Sequence, residues 1–236
     1  MPVHLQKISF LLALNVLASA ALLPIQSWAQ ATTPAANPSA ASVQGADQSA
    51  TTSTDQSIGA QKFIQDLGDK AIGIIADKSL TQAKRDSKYH DLLHDAFDIK
   101  TIGHFVIGRA FDSATPQQQQ DYLKLFEQLV IKIYSDRLNL YSGETFHVKG
   151  ARAEDQKDTV VNSEVEHPDG SKPTPIDWRV RQKDGKIYVI DVVVDGVSQS
   201  VTQRQEYGSI VQRDGMDGLL SQMRQRVQSN ASPGGD

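Results

Sequence analysis

Around Gly143 the apolar residues of the chain change their period. Upstream, "ATPQQQQDYLKLFEQLVIKIYSDRLNLYSG" (114–143) repeats them every three or four residues, as one long helix does. Downstream, to Gly196, they alternate or run together between turn residues, as strands do. The helix has defined ends: Thr115 as N-cap, Pro116 at the first helical position and Gly143 as the stop. Its apolar residues fill two adjacent stripes. One is Tyr122, Leu125, Phe126, Leu129, Ile133 and Leu140; the other is Leu123, Val130, Tyr134, Leu138 and Tyr141. A surface helix shows one stripe, so this one is expected to meet apolar surface over more than half its circumference.

Four strands follow, "ETFHVKGARAE", "DTVVNSEVEHP", "PTPIDWRVRQ" and "KIYVIDVVVDG". Short connections make them an antiparallel meander, and Asp184-Gly185 is a strong two-residue hairpin turn. A regular hairpin sets Val180 opposite Val189, Trp178 opposite Asp191 and Ile176 opposite Val193. That places Asp191 on an otherwise apolar face. The last strand is apolar on both sides and is expected to be central or covered twice.

Helical patterns flank the strands. Ala60, Ile64, Leu67, Ala71 and Ile75 share one face of a first helix; "TQAKRDSKYHDLLHDAF" is a second; Asp98 can cap a third, "IKTIGHFVIGRA". After the sheet come Ser200–Arg213 and Met216 to about Gln228. The expected fold is one α+β domain over residues 57–228, with a twisted four-stranded antiparallel sheet packed with several helices.

Residues 1–29 read as a secretory signal: Lys7, an apolar run, and Ser27-Trp28-Ala29 before the cleavage point. The same apolar run is long enough to serve as an uncleaved anchor. Residues 30–56 are mostly Ala, Thr, Ser, Gln and Pro with one large apolar residue, Val43, and are expected to be a disordered leader; residues 229–236 read as a disordered tail. There is no cysteine, which excludes a lipoprotein, disulfides and thiolate metal sites. The net charge is −4, and about −5 without Lys7, a poor balance for nucleic-acid binding.

Candidate chemical sites each have a plainer reading. Ser198 lies on a strand-to-helix turn, where a nucleophile elbow would place it, but "DGVSQS" lacks the second glycine of G-x-S-x-G, and Ser198 or Ser200 also suits a helix N-cap. His90 and His94 have chelating spacing, without a third ligand or the general base of H-E-x-x-H. His104 sits among apolar residues, and His147 and His167 sit in or beside strands. No phosphate loop and no cofactor motif occurs, so no cofactor or metal is expected. Asp191 needs a partner if buried. Arg204 is the candidate; alternatively Arg204 or Arg109 meets an anionic head group.

Taken together, Phe97-Asp98, Gly108-Arg109, Ala114-Thr115-Pro116, the Tyr134 helix, Asp191, Gly196-Val197-Ser198 and Arg204 resemble the MlaC / toluene-tolerance auxiliary family over roughly residues 58–228. "VTQRQEY" is nearest its hopanoid-associated branch, although Ile187 stands where members often carry Trp. The resemblance implies a periplasmic lipid carrier without catalytic residues, with a deep apolar pocket. It implies exchange of phospholipid between an outer-membrane lipoprotein/porin complex and an inner-membrane ABC transporter. A monomer is expected. Phe105, Tyr134, Leu138, Trp178, Val180, Val189, Val193 and Val197 are then expected on the pocket wall. The alternatives are a hopanoid or other polycyclic cargo, an envelope lipid or ester hydrolase using Ser198, and an anchored adaptor.

Overall fold

The computed structural model describes residues 46–138, 141 and 143–229, and the side chains of 54–135, 141 and 143–229. The signal, residues 30–45 of the leader, and residues 230–236 of the tail lie outside the described residues. Helix α1 (Ala46–Ala76) begins inside the segment expected to be disordered. Once a helix is nucleated by its packed part, each further turn costs little. The Gln56 amide also ties this end to the sheet, donating to the carbonyls of Asp155 and Asp158 at 3.3 and 3.4 Å.

Helix α2 (Gln82–Ala96) starts at Thr81, whose hydroxyl accepts from the Lys84 amide. It lies back on α1: Arg85 donates to the carbonyls of Ile74 and Ile75 and so caps the end of α1. Asp98 caps α3 (Ile99–Ile107), as expected, accepting from the Thr101 amide at 3.0 Å and the Thr101 hydroxyl at 2.7 Å. The third helix is shorter than the sequence pattern, because Gly108 at φ 53° breaks it and a short α4 (Arg109–Ser113) follows. Helix α5 (Pro116–Leu138) opens on a reciprocal cap, Thr115 accepting from the Gln118 amide while the Gln118 side chain accepts from that of Thr115. It closes before Gly143, which lies beyond the helix at the entrance to the sheet.

The sheet runs β1 (Thr145–Ala153), β2 (Asp158–Glu166), β3 (Thr174–Lys183), β4 (Lys186–Val194) and a two-residue β5 (Val197–Ser198), antiparallel and in chain order. Asp184-Gly185 and Asp195-Gly196 make tight turns, with the two aspartates at φ 51° and 49° and the glycines also at positive φ. The second of these, Asp195-Gly196, adds the fifth strand. Strand β4, expected to be central or covered twice, lies between β3 and the short β5, and a bridge from Phe97 to Val189 extends its outer edge. Helices α2, α3 and α6 pack against it.

The β3–β4 register corrects the sequence reading. Val180 does face Val189, but a bulge at Ile190 then shifts the pairing, so Arg179 faces Asp191, Trp178 faces Val192 and Ile176 faces Val194. One extra residue turns the rest of a strand over. Here it takes Asp191 off the face that carries Trp178 and puts Val192 there instead.

Helix α6 (Gln199–Ser229) is two helices joined at Gly215, φ 71°. Its side chains Tyr207, Ile210, Leu219, Leu220 and Met223 bury against Tyr122, Phe126 and Leu129 of α5 and Val106 of α3. That cluster is the solid part of the core.

Candidate functional site

The other part of the core is hollow. Between α1, α2, the end of α5 and the inner face of the sheet lies a cavity of about 190 Å³. Helix α1 supplies Leu67, Gly68, Ala71, Ile72 and Ile75; α2 and its cap supply Leu92, Leu93 and Phe97; the sheet supplies Phe146, Val165, Ile176, Trp178, Val192 and Val194. Tyr134 and Tyr141 complete the wall, which is almost wholly apolar, and Glu144, Thr145 and Gln199 are its polar residues. A smaller cavity of about 90 Å³ lies behind it, lined by Ile102, Val106, Phe126, Val130 and Ile133 with Gln203, Ser200 and Asp191. The two share Phe97, Tyr134, Val192 and Gln199 as a common wall, with the Phe97 and Tyr134 rings 6.1 Å apart. The double stripe on α5 therefore has a physical meaning. Tyr122 and Leu129 enter the solid core, Phe126 stands between that core and the smaller cavity, and Val130 and Tyr134 border open space.

The rings on the wall are held by polar bonds behind them. The Trp178 indole N–H donates to Ser163 Oγ at 2.9 Å, and the Ser163 hydroxyl donates to the Ile176 carbonyl at 2.8 Å. Phe97 is fixed through its backbone, bridged to Val189, and the next amide, Asp98, donates to the Val189 carbonyl at 3.1 Å. Burial alone would raise the Asp98 carboxyl, but the bonds from Thr101 and Lys183 hold it below the ordinary carboxylate value. Tyr89, fully buried behind α1, has its phenol pushed up to about 12 by desolvation.

Of the residues expected on the wall, the structure places Tyr134 and Trp178 there. Leu138 closes α5, and its side chain lies outside the described residues. Val180 and Val189 are buried on the sheet and line neither cavity; Val180 borders a more polar pocket with Gln56, Ala60 and Thr159. The bulge puts Val193 in register with Asp177, and its neighbours Val192 and Val194 take the wall. Phe105 and Val197 are outside, 42% and 54% exposed. The wall residues missed by the sequence reading come from α1, from α2 and its cap, and from all four long strands. The apolar face of α1 was the available signal there; nothing in the sequence marked the bulge.

Asp191 and Arg204 do not pair, contrary to expectation. The Asp191 carboxylate accepts from the Ser198 hydroxyl at 2.6 Å, the Ser200 amide at 3.1 Å and the Val192 amide at 2.9 Å. The strand carboxylate thus caps α6, where the exposed amides and the helix dipole favour a negative charge. Ser198 also accepts from the Val201 amide at 3.1 Å, so its hydroxyl is committed to the cap. Arg204 instead donates to the Phe105 carbonyl at the end of α3, with its guanidinium 4.9 Å from the Phe105 ring centroid. A Cβ on Gly108 would stand 2.9 Å from Arg204 Nη2, so the glycine is needed there for space as well as for its backbone. Arg109 is exposed at the start of α4.

Of the described histidines, four make separate carboxylate contacts and the fifth, His167, bonds the Thr174 hydroxyl at 3.0 Å. His94 bonds Glu127 across α2 and α5 at 2.5 Å, and His104 bonds Asp112 at 3.1 Å. Among the described residues no group of three or more His, Asp or Glu is placed to hold a metal ion. Among the described residues, no helix is long and apolar enough to cross a membrane.

The cavity gives the comparison with known proteins its point. The family model "MlaC protein" matches residues 65–225, which include nearly every wall residue. The chain belongs to the MlaC family. It is 25% identical over 173 residues to the intermembrane phospholipid transport system binding protein MlaC of Haemophilus influenzae, covering 69% of this chain and 79% of that one. It is 27% identical over 104 residues to toluene tolerance protein ttg2D of Pseudomonas putida, covering 44% of this chain and 48% of that one. A phospholipid-binding protein of Ralstonia solanacearum, solved in complex with a phospholipid, superposes with a TM-score of 0.63 at 26% identity, covering 73% of this chain and 99% of that one. The α+β fold with its antiparallel sheet is shared with that MlaC-like structure.

Proposed function

We propose that this protein is a periplasmic phospholipid carrier that holds acyl chains in the α1–α2–sheet cavity. The observation that carries the reading is the cavity itself, a void with an almost wholly apolar wall. Empty apolar space forfeits dispersion contacts, and hydrocarbon from a lipid restores them. The need for such a carrier is large: at about 0.8 kcal/mol per CH₂, a sixteen-carbon chain in water costs on the order of 12 kcal/mol. Burial in a similar cavity makes exchange with a membrane nearly isoenergetic, and partners can then set direction. In this reading the chain is exported, its signal is removed, and it passes lipid as a monomer between an inner-membrane ABC transporter complex and an outer-membrane lipoprotein/porin complex. No covalent step is required of it. The relatives' names as phospholipid transport and phospholipid-binding proteins support this reading.

The test is native mass spectrometry of the protein purified from its own envelope fraction, with extraction of whatever remains bound. A phospholipid adduct is expected. Protein that is lipid-free, and stays so after incubation with phospholipid vesicles, sinks the carrier reading. A hopanoid adduct moves the cargo to the polycyclic class and keeps the carrier.

A further inference from the structure

We propose that Gly68 sets the bore of the cavity, and with it the width of hydrocarbon chain the protein accepts; this rests on the phospholipid-carrier reading. Three wall elements meet at one point: Gly68 on α1, Phe146 on β1 and Trp178 on β3. A Cβ built on Gly68 would stand 2.5 Å from Cδ1, 2.8 Å from Cε1 and 3.3 Å from Cγ of Phe146. Carbon atoms need about 3.5 Å. The phenyl ring therefore lies directly on bare helix backbone, in the space any side chain at 68 would take.

The ring cannot give way toward the sheet. It meets Trp178 edge-on, with centroids 6.2 Å apart and planes at 87°. Trp178 is held by its bond to the buried Ser163 hydroxyl, which is bonded in turn to the Ile176 carbonyl. A displaced Phe146 can move into the cavity it lines, by about 1 Å for a single methyl group at 68. Glycine weakens a helix interior, and at 68 the seated ring gives it a reason. Gly73, also on α1, has nothing within 4 Å of its Cβ position and does not line the cavity, so it serves as an internal control.

The bore matters for chain shape. A methyl-branched chain is wider than a straight one, so a wall one ring position closer rejects it first. The experiment incubates the full chain with vesicles containing equal amounts of dipalmitoyl and diphytanoyl phosphatidylcholine and reads bound lipid by native mass spectrometry. Gly68→Ala is expected to lose the branched lipid and to keep less of the straight one. Phe146→Leu is expected to shift the ratio toward the branched lipid, and Gly68→Ala/Phe146→Leu to regain what Gly68→Ala lost. Gly73→Ala is expected to match wild type. A wild-type ratio in Gly68→Ala, or a double variant no better than the single, overturns the proposal. If Gly68→Ala does not fold, an unchanged ratio in Phe146→Leu overturns it alone. Wild-type protein that takes up neither lipid overturns the carrier reading itself, and the bore with it.

Discussion

The two ends of the core are built from the same kinds of residue and end up differently. At one end Tyr122, Phe126 and Tyr207 lie 5.7–6.5 Å apart and are buried among Leu219, Leu220 and Met223. At the other, Phe97 and Tyr134 lie 6.1 Å apart and Phe146 and Trp178 6.2 Å apart, yet about 190 Å³ stays open between them. Ring spacing is not the difference; the backbones are. The solid end is made where helices α3, α5 and α6 meet, and a helix can shift as a body to close a gap. The hollow end is walled by four strands of one hydrogen-bonded sheet, with Phe97 bridged to β4 and α1 capped by Arg85. None of these can move singly to fill the void.

The first way to break that contrast is to truncate the solid end. Leu219→Ala removes a fully buried side chain that borders neither cavity, and is expected to cost about 2–5 kcal/mol in urea unfolding. Ile72→Ala, at a position already facing the cavity, should cost much less, about 1 kcal/mol. Equal losses at the two positions would mean that the hollow end is packed as tightly as the solid one.

The converse test adds atoms. Ala71→Leu projects into the cavity and should be tolerated, changing stability by less than about 1 kcal/mol, because the void accepts the volume. It should also displace bound lipid in native mass spectrometry. Enlarging a residue of the solid end, as in Leu220→Phe, where Leu220 is 2% exposed, should cost about 1–3 kcal/mol by overpacking. Lipid retained undiminished by the Ala71 variant would place the ligand elsewhere.

The contrast also explains what could be read from the sequence. The helix boundaries at Thr115-Pro116 and Asp98, the Asp184-Gly185 turn and the order of strands follow from local signals, and all stand in the structure. The double stripe of α5 signalled surplus apolar surface, but periodicity cannot say whether such surface meets side chains or empty space. The bulge at Ile190 has no local signal at all, since Ile, Val and Asp fit either register equally well. Its consequence reaches furthest: it exchanges Val193 for Val192 and Val194 on the wall, and it frees Asp191 to cap α6 rather than pair with Arg204.

That cap supplies a smaller prediction. Ser198→Ala removes the acceptor for the Val201 amide and a donor to Asp191. A loss of about 1 kcal/mol in thermal or urea unfolding is expected, with lipid binding unchanged. If Ser198 were instead a nucleophile, the variant would leave stability nearly intact and abolish turnover of a lipid ester. The two outcomes separate cleanly when both measurements are made on the same preparation.

The smallest effect lies at the junction of the two ends. Asp98 caps α3, which packs into the solid core, while the neighbouring Phe97 walls both cavities. Its carboxyl is held below its ordinary value in the folded protein, so the unfolded chain binds its proton more readily. The stabilisation is therefore fully present above the unfolded value of about 4 and is lost as the pH falls through the lower, folded value. Asp98→Asn can still accept from the Thr101 amide but cannot pair as an anion with Lys183. It should flatten the fall in stability below about pH 4 and leave the neutral-pH value within about 1 kcal/mol. An acid limb identical to wild type would show that the corner between Phe97 and α3 is held by the backbone bridge to Val189 alone.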